Sequence, residues 1–298
     1  MMDGKEAGFL LLTSRLGNPD RKVLTAAQLR TLGQRMQNML RPAEDRELLP
    51  EDLTALGYSR EMAYRILSLL EETDLLQHAL RRAQRLGCVP ISRVNDSYPR
   101  ILKERLGLEA PGCLWAKGDL PLLDTPMISL VGSRDINPEN KEFAAEVGRQ
   151  AALQGYTLVS GNARGADRTA QSACLKAGGR VVSLVADSLA EKPLQTRMLY
   201  LSEEDFDAEF SAQRALSRNR IIHALGEKTF VAQVNAGCGG TWDGTAKNLR
   251  GGWSPVFCFD DGSKGVGQIA QMGAALIAIK DLADFSALTP GQRSFFTE

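Results

Sequence analysis

The chain has 298 residues, 43% of them hydrophobic and 24% charged, enough to bury one large core or a main domain with a smaller attachment. Lys plus Arg and Asp plus Glu number 36 each, so a cationic surface for any polyanion has to be local and not global. Five scattered cysteines without a Cys-x-x-Cys, and only His78 and His223, argue against a disulfide framework, a zinc ribbon or a His-based metal site; no metal or other cofactor is expected.

No long apolar run suits a membrane span and no signal-type segment opens the chain, which leaves the cytoplasm as the expected location. The first part reads as helical. Thr25 is a candidate cap for a helix on which Leu29, Leu32, Met36 and Met39 share a face, and Pro50 opens a short one. Gly57 breaks the chain before Ser59, a candidate cap for Glu61 to Leu70. Thr73 begins a further helix with Leu76, Leu80, Ala83 and Leu86 aligned, ended by Gly87. We therefore expect a small helical domain over residues 1–86, with packing or partner binding ahead of a grip on DNA backbones.

From residue 88 the pattern changes. Cys113-Leu-Trp-Ala suggests an edge strand, closed by Gly118-Asp119. Met127 to Val131 is a short apolar run, followed by Gly132-Ser133-Arg134 and a helix carrying Phe143, Val147 and Ala151. Tyr156 to Val159 is the next strand, then Ser160-Gly161-Asn162-Ala163-Arg164-Gly165 and a helix to about Ala177. Further strands are expected at Arg180 to Ala186, Thr229 to Val234 and Pro255 to Phe259, and a closing helix over Gln268 to Ile279, with a tail over 286–298. Short apolar strands alternating with helices predict an α/β fold over residues 87–285, an extended Rossmann-like parallel sheet covered on both faces. Right-handed crossovers then gather the loops after the strands at one edge.

Three of those loops carry the residues that chemistry would use: Gly132-Ser133-Arg134, Gly161 to Asp167, and Gly237-Cys238-Gly239-Gly240-Thr241. Small residues admit a ligand close to backbone N–H groups, and the following helix adds its positive end. Arg134 and Arg164 add planar donors suited to phosphate oxygens. Arg218-Asn219-Arg220 either faces the same ligand or pairs with the acidic stretch Glu203 to Glu209. Asp167 is expected to stabilise a helix start ahead of any catalytic role, and His223 to be a packed core histidine. Trp242 either stacks on a base or fills the gap left by the glycines. A P-loop, a nucleophile elbow and a dinucleotide fingerprint after the first strand are all missing from the sequence.

Ile128-Ser-Leu-Val-Gly-Ser-Arg134, Leu158-Val-Ser-Gly-Asn-Ala-Arg-Gly-Ala-Asp167 and Arg218-Asn-Arg-Ile-Ile222 resemble, in order and context, the DNA-processing protein A family (DprA, also called Smf). Tyr98-Pro99 and Leu114-Trp-Ala-Lys-Gly-Asp119 resemble the segments before that family's core. The resemblance implies a non-enzymatic single-stranded DNA binder that protects incoming DNA and helps load the RecA recombinase during natural transformation, commonly as a homodimer. It places Ser133 and Arg134 on DNA phosphates, with Arg164 and Arg220 lining or supporting the pocket and Lys192 supplying another cation. Gly132, Ser160, Gly161, Gly165, Arg218, Asn219, Gly239, Gly240 and Thr241 complete the expected phosphate site. The chain departs from the family at Gly239-Gly240-Thr241-Trp242, where familiar members carry a Ser-Gly-Ser-Leu type segment. That departure keeps a second reading open, an enzyme that binds or cleaves a nucleotide derivative, with Asp167 and Asp243 as weak candidates for its general base.

Overall fold

The computed structural model describes residues 3–37 and 48–290. It opens with helices α1 (Gly4–Thr13), α2 (Ala26–Gln37), α3 (Pro50–Ala55), α4 (Arg60–Glu71) and α5 (Thr73–Arg85). Thr25 and Ser59 accept from the backbone N–H groups of Gln28 and Met62, the capping expected of them. Met39 and residues 291–298 of the expected tail lie outside the described residues. Helix α1 was not expected; Asp3 and Glu6 form a capping box that starts it.

The sheet follows: β1 (Val89–Ser92), α6 (Arg100–Leu106), β2 (Cys113–Gly118), β3 (Met127–Val131), α7 (Pro138–Leu153), β4 (Thr157–Gly161), α8 (Ala166–Lys176), β5 (Arg180–Leu184) and β6 (Met198–Ser202). Then come α9 (Ala212–Ser217), α10 (Asn219–Leu225), β7 (Thr229–Val231), α11 (Gly239–Gly251), β8 (Val256–Phe259), α12 (Lys264–Gln271) and β9 (Ala275–Ile277). The strand order is β1-β2-β6-β5-β4-β3-β7-β8-β9. The run from β6 to β9 is parallel, while β1 and β2 add antiparallel to its flank. The result is the Rossmann-like α/β architecture, mostly parallel rather than wholly so.

Alternation along the strands sorts the core into two layers. Ile128, Leu158, Val181 and Tyr200 face one layer with Phe143, Val147 and Ala151 of α7 and Ala170 of α8. Met127, Val159, Val182 and Leu199 face the other, with Leu102 of α6, Ile221 and Ile222 of α10 and Ile269 of α12. Burial on both faces explains why these strands read as continuous apolar runs. Leu10 and Leu11 of α1 and Leu76, Ala79 and Ala83 of α5 belong to the first layer. Leu24, Leu32, Leu53, Ala63, Ile66 and Leu69 form a smaller cluster of their own.

Two expectations need correction. Cys113 to Ala116 is not an edge strand: β2 lies buried between β1 and β6, and the short β1, carrying Pro90, takes the edge where a residue without an N–H is tolerated. Gln268 to Ile279 is not one helix either. Helix α12 stops at Met272, Gly273 adopts φ +109°, and Ala275–Ile277 joins the sheet beside β8. The spacing of Ile269, Met272, Leu276 and Ile279 imitates a helical face across that turn.

Candidate functional site

The order of strands defines where a ligand fits. From β3 the chain winds one way to β4, β5 and β6, and later the other way to β7, β8 and β9, so a crevice opens between the carboxyl ends of β3 and β7. A cavity of about 310 Å³ occupies it. Gly132, Ser133 and Arg134 line it from the β3 side, and Gln233, Asn235, Gly239, Gly240 and Thr241 from the β7 side. Asp167 of α8 and Arg218 and Asn219 at the start of α10 complete it.

The backbone of this crevice depends on glycine. A Cβ at Gly132 would meet the Cβ of Ala166 at 2.5 Å, so only glycine lets α8 approach the end of β3. Gly165, at φ +84°, sits against the carbonyl oxygens of Ser133 and Arg134. The 132–137 loop is further held by Gln233, whose Oε1 accepts from the Asn137 N–H at 2.8 Å and whose Nε2 donates to the Asp135 carbonyl at 3.1 Å. Across the crevice Asn219 Nδ2 donates to the Gly240 carbonyl at 3.1 Å, fixing the start of α11.

Two guanidiniums serve the site in different ways. Arg218 is buried and donates to the Leu184 carbonyl, with its Nε left without a hydrogen-bond partner among the described residues. Burial lowers its pKa, while the nearby Asp167 acts to raise it. Asp167 is itself buried and accepts from the Ala163 N–H at 3.3 Å. Burial pushes its carboxyl up to about 6 despite the opposing pull of Arg218. It therefore does more than stabilise a helix start: it is the counter-charge of Arg218 at the floor of the crevice. Arg134, by contrast, is exposed and has no hydrogen bond or ion pair among the described residues. Its guanidinium carbon stands 6.0 Å from the ring centroid of Phe210. Phe210 is 57% exposed, so its ring face is open to solvent beside that cation.

Arg134 is also shared with two neighbouring hollows. One is lined by Asn162, Arg164, Asp187, Phe210 and Arg218, the other by Asn137, Lys141, Gly165 and Thr169. Arg164 pairs on the surface with Asp135 at 2.8 Å. The remaining expected residues stand further off. Ser160 and Gly161 end β4 beneath the site; Ser160 receives a hydrogen bond from Gln171 at 2.8 Å, and a Cβ at Gly161 would strike both Arg218 and Asp167. Lys192 is tied to Asp187, which lines the neighbouring hollow. Arg220 is not brought to the crevice: it pairs with Glu203 at 2.7 Å and donates to the Glu109 carbonyl.

Trp242 packs partly buried against the second core layer, and Asp243 pairs with Lys247 at 2.8 Å; neither lines the crevice. His223 is fully buried, its pKa lowered to about 3 by burial, in keeping with a core role. A larger cavity of about 760 Å³ lies elsewhere, between α1, α2 and β2. Its lining mixes Glu203, Glu204 and Asp205 with Arg15, Arg30, Arg93 and Arg220, and takes no residue from the three glycine-bearing loops. Gln233, Asn235 and Phe210 escaped the sequence reading. Gln233 hid inside the expected strand Thr229 to Val234, which ends at Val231, and Asn235 follows directly after it; polar side chains just past the strand were the available signal. Phe210 belongs to no periodic pattern.

A doubly wound sheet with a crevice at its switch point, lined by glycine-bearing loops and an exposed arginine, defines a Rossmann-like protein. The family model described as DNA recombination-mediator protein A matches residues 90–286, and the chain belongs to that family. It is 28% identical over 246 residues to DNA processing protein DprA of Streptococcus pneumoniae, covering 78% of this chain and 85% of that one. To DNA processing protein DprA of Bacillus subtilis it is 30% identical over 167 residues, spanning 54% of that protein's length. The crystal structure of the Streptococcus pneumoniae protein superposes with a TM-score of 0.67 at 25% identity, over 87% of this chain and 97% of that one. A Helicobacter pylori DprA structure, described by its single-stranded DNA binding mode, shares the fold at a TM-score of 0.54 and 23% identity, over 66% of this chain and 94% of that one.

Proposed function

We propose that the protein binds single-stranded DNA across the β3/β7 crevice, with the backbone phosphates on Arg134 and the loops around it and a base against Phe210. The observation that carries this reading is Arg134 itself, an exposed guanidinium with no hydrogen bond or ion pair among the described residues, beside an exposed aromatic ring at the meeting of three hollows. Phosphates supply affinity without regard to sequence, and base–aromatic stacking is equally tolerant of base identity. The binding mode named for the Helicobacter pylori relative supports the same ligand. Arg218 and Asp167 shape the floor, and Ser133, Asn219, Gly240 and Thr241 line the walls. Lys192 and Arg164 act through the carboxylates they hold, Asp187 and Asp135.

Family membership supports a role in recombination without catalysis by this chain. Protection of single strands, delivery to RecA, a homodimeric state and a cytoplasmic location are proposed on the same ground; no helix among the described residues is long and apolar enough to cross a membrane. Nucleotide cleavage is the less favoured reading, because Asp243 is engaged outside the crevice and Asp167 is buried against Arg218. The test is fluorescence anisotropy with a labelled thymidine oligomer. Arg134→Ala should weaken binding by about tenfold or more, the worth of a charge-assisted contact, and equally for a mixed-sequence oligomer. Unchanged affinity in the variant would reject this site.

A further inference from the structure

The acidic run after β6 lines none of the three hollows around Arg134, apart from its last neighbour, Phe210. Three of its carboxylates are nonetheless engaged with the rest of the molecule. Asp205 accepts from Ser14 Oγ at 2.5 Å and from the Gly17 N–H at 2.8 Å, both just past α1. Asp207 pairs at 2.6 Å with Arg82 of α5, and Glu203 with Arg220 of α10. Between them Phe206 is fully buried, edge-on to Trp115 at 4.8 Å, with the Arg82 guanidinium 5.5 Å from its ring centroid. The Phe206 carbonyl accepts from the Ala190 N–H at 2.8 Å.

The other side of Phe210 is pinned as well. Arg214 of α9 donates to the Ala208 carbonyl at 2.7 Å and to the Glu209 carbonyl, and Ser211 caps that helix by accepting from the Arg214 N–H at 3.1 Å. Phe210 is thus an exposed ring on a backbone held at both flanks. Immediately after it, Ala212, Ala215 and Leu216 form one wall of the β3/β7 crevice. The acidic run joins the end of α1 and Arg82 of α5 to the segment that leads to this wall.

We infer that Asp205, held by the α1 end, is a positioning residue for single-stranded DNA binding: it sets the segment that presents Phe210 to the ligand. This inference rests on the reading that Arg134 and Phe210 receive the strand. It makes the N-terminal helices a brace for the site and not a second DNA grip. The sign of its main consequence separates it from general electrostatics. Neutralising a carboxylate near a polyanion site relieves repulsion and would tighten binding; loss of a brace weakens it.

The experiment measures affinity for a thymidine oligomer at two salt concentrations, using the full chain as wild type, Asp205→Asn, Ser14→Ala, Phe210→Ala and Asp205→Asn combined with Phe210→Ala. Phe210→Ala should lose about tenfold in affinity, the worth of one stacked base. Asp205→Asn should lose about fivefold, a part of that stacking contribution, with an unchanged salt slope because no phosphate contact is removed. In the Phe210→Ala background the Asp205 substitution should add nothing. Ser14→Ala, which alters no charge, should weaken binding in the same sense and carries the test if Asp205→Asn fails to fold by circular dichroism. Binding by Asp205→Asn or Ser14→Ala as tight as wild type or tighter, or an equal loss with and without Phe210, would overturn the brace. Wild type that shows no salt-sensitive binding at all would instead defeat the underlying reading of the site, and the brace with it.

Discussion

Gly165→Ala is the substitution whose consequence the geometry states most sharply. Gly165 caps α8 at φ +84° and ψ −128°, a region that costs a residue with a side chain about 1–3 kcal/mol. The added Cβ would also press on the carbonyl oxygens of Ser133 and Arg134, which belong to backbone and not to a side chain able to rotate away. Overpacking of that kind costs a further ~1–3 kcal/mol. Together the loss is about 2–6 kcal/mol unless the 132–137 loop gives way. Urea unfolding followed by circular dichroism measures the first outcome, and oligomer binding well below the melting temperature measures the second. Relief by movement of the loop would shift Arg134 and weaken binding even in a fraction that stays folded. A variant within about 0.5 kcal/mol of wild type, the range of a neutral surface change, and with unaltered DNA affinity would refute the reasoning.

Other expectations follow from the same structure. Gly148→Ala should destabilise by about 2 kcal/mol or more, because its Cβ would collide with the backbone of Ala170 where α7 crosses α8; urea midpoints check this without reference to DNA. His223 is buried with a pKa near 3, so the native state binds fewer protons than the unfolded chain between there and about 6.5. Stability should fall as pH drops through that window, and less steeply in His223→Gln. Asp167 has the opposite sign: its carboxyl titrates near 6 in the fold against 3.8 unfolded, so the native state binds the proton more tightly. Its contribution is present below about pH 4 and lost as pH rises to about 6, visible as the difference between the stability curves of wild type and Asp167→Asn.

Much of the α/β core was legible because both faces of its strands are buried, which leaves uninterrupted apolar runs such as Met127–Val131. The three glycine-bearing loops were legible for a related reason: each comes at or shortly after the end of such a run. Strand β6 escaped although Met198–Ser202 is equally apolar, since no helix separates it from β5 to mark a crossover. Strand β9 was absorbed into a helix because three-residue edge strands carry too few positions to show a period of two. Strand order, and with it the position of the crevice, is a property of long-range pairing that local pattern does not contain. Arg220 shows the limit at side-chain level: it sits two residues from Arg218, yet a helix turns successive side chains apart, and Glu203 claims it on the far side. The acidic run, which as sequence offered only a solvated or arginine-pairing surface, acquires a role once Ser14, Gly17 and Arg82 are seen beside it.

The central claim is that single-stranded DNA lies across the β3/β7 crevice between Arg134 and Phe210. Photocrosslinking a thymidine oligomer carrying 5-iododeoxyuridine, followed by mass spectrometry of the adducted peptides, tests it directly. The account predicts adducts at Phe210 that disappear in Arg134→Ala under matched conditions. Adducts confined to the N-terminal helices α1 to α5, and indifferent to Arg134, would contradict it.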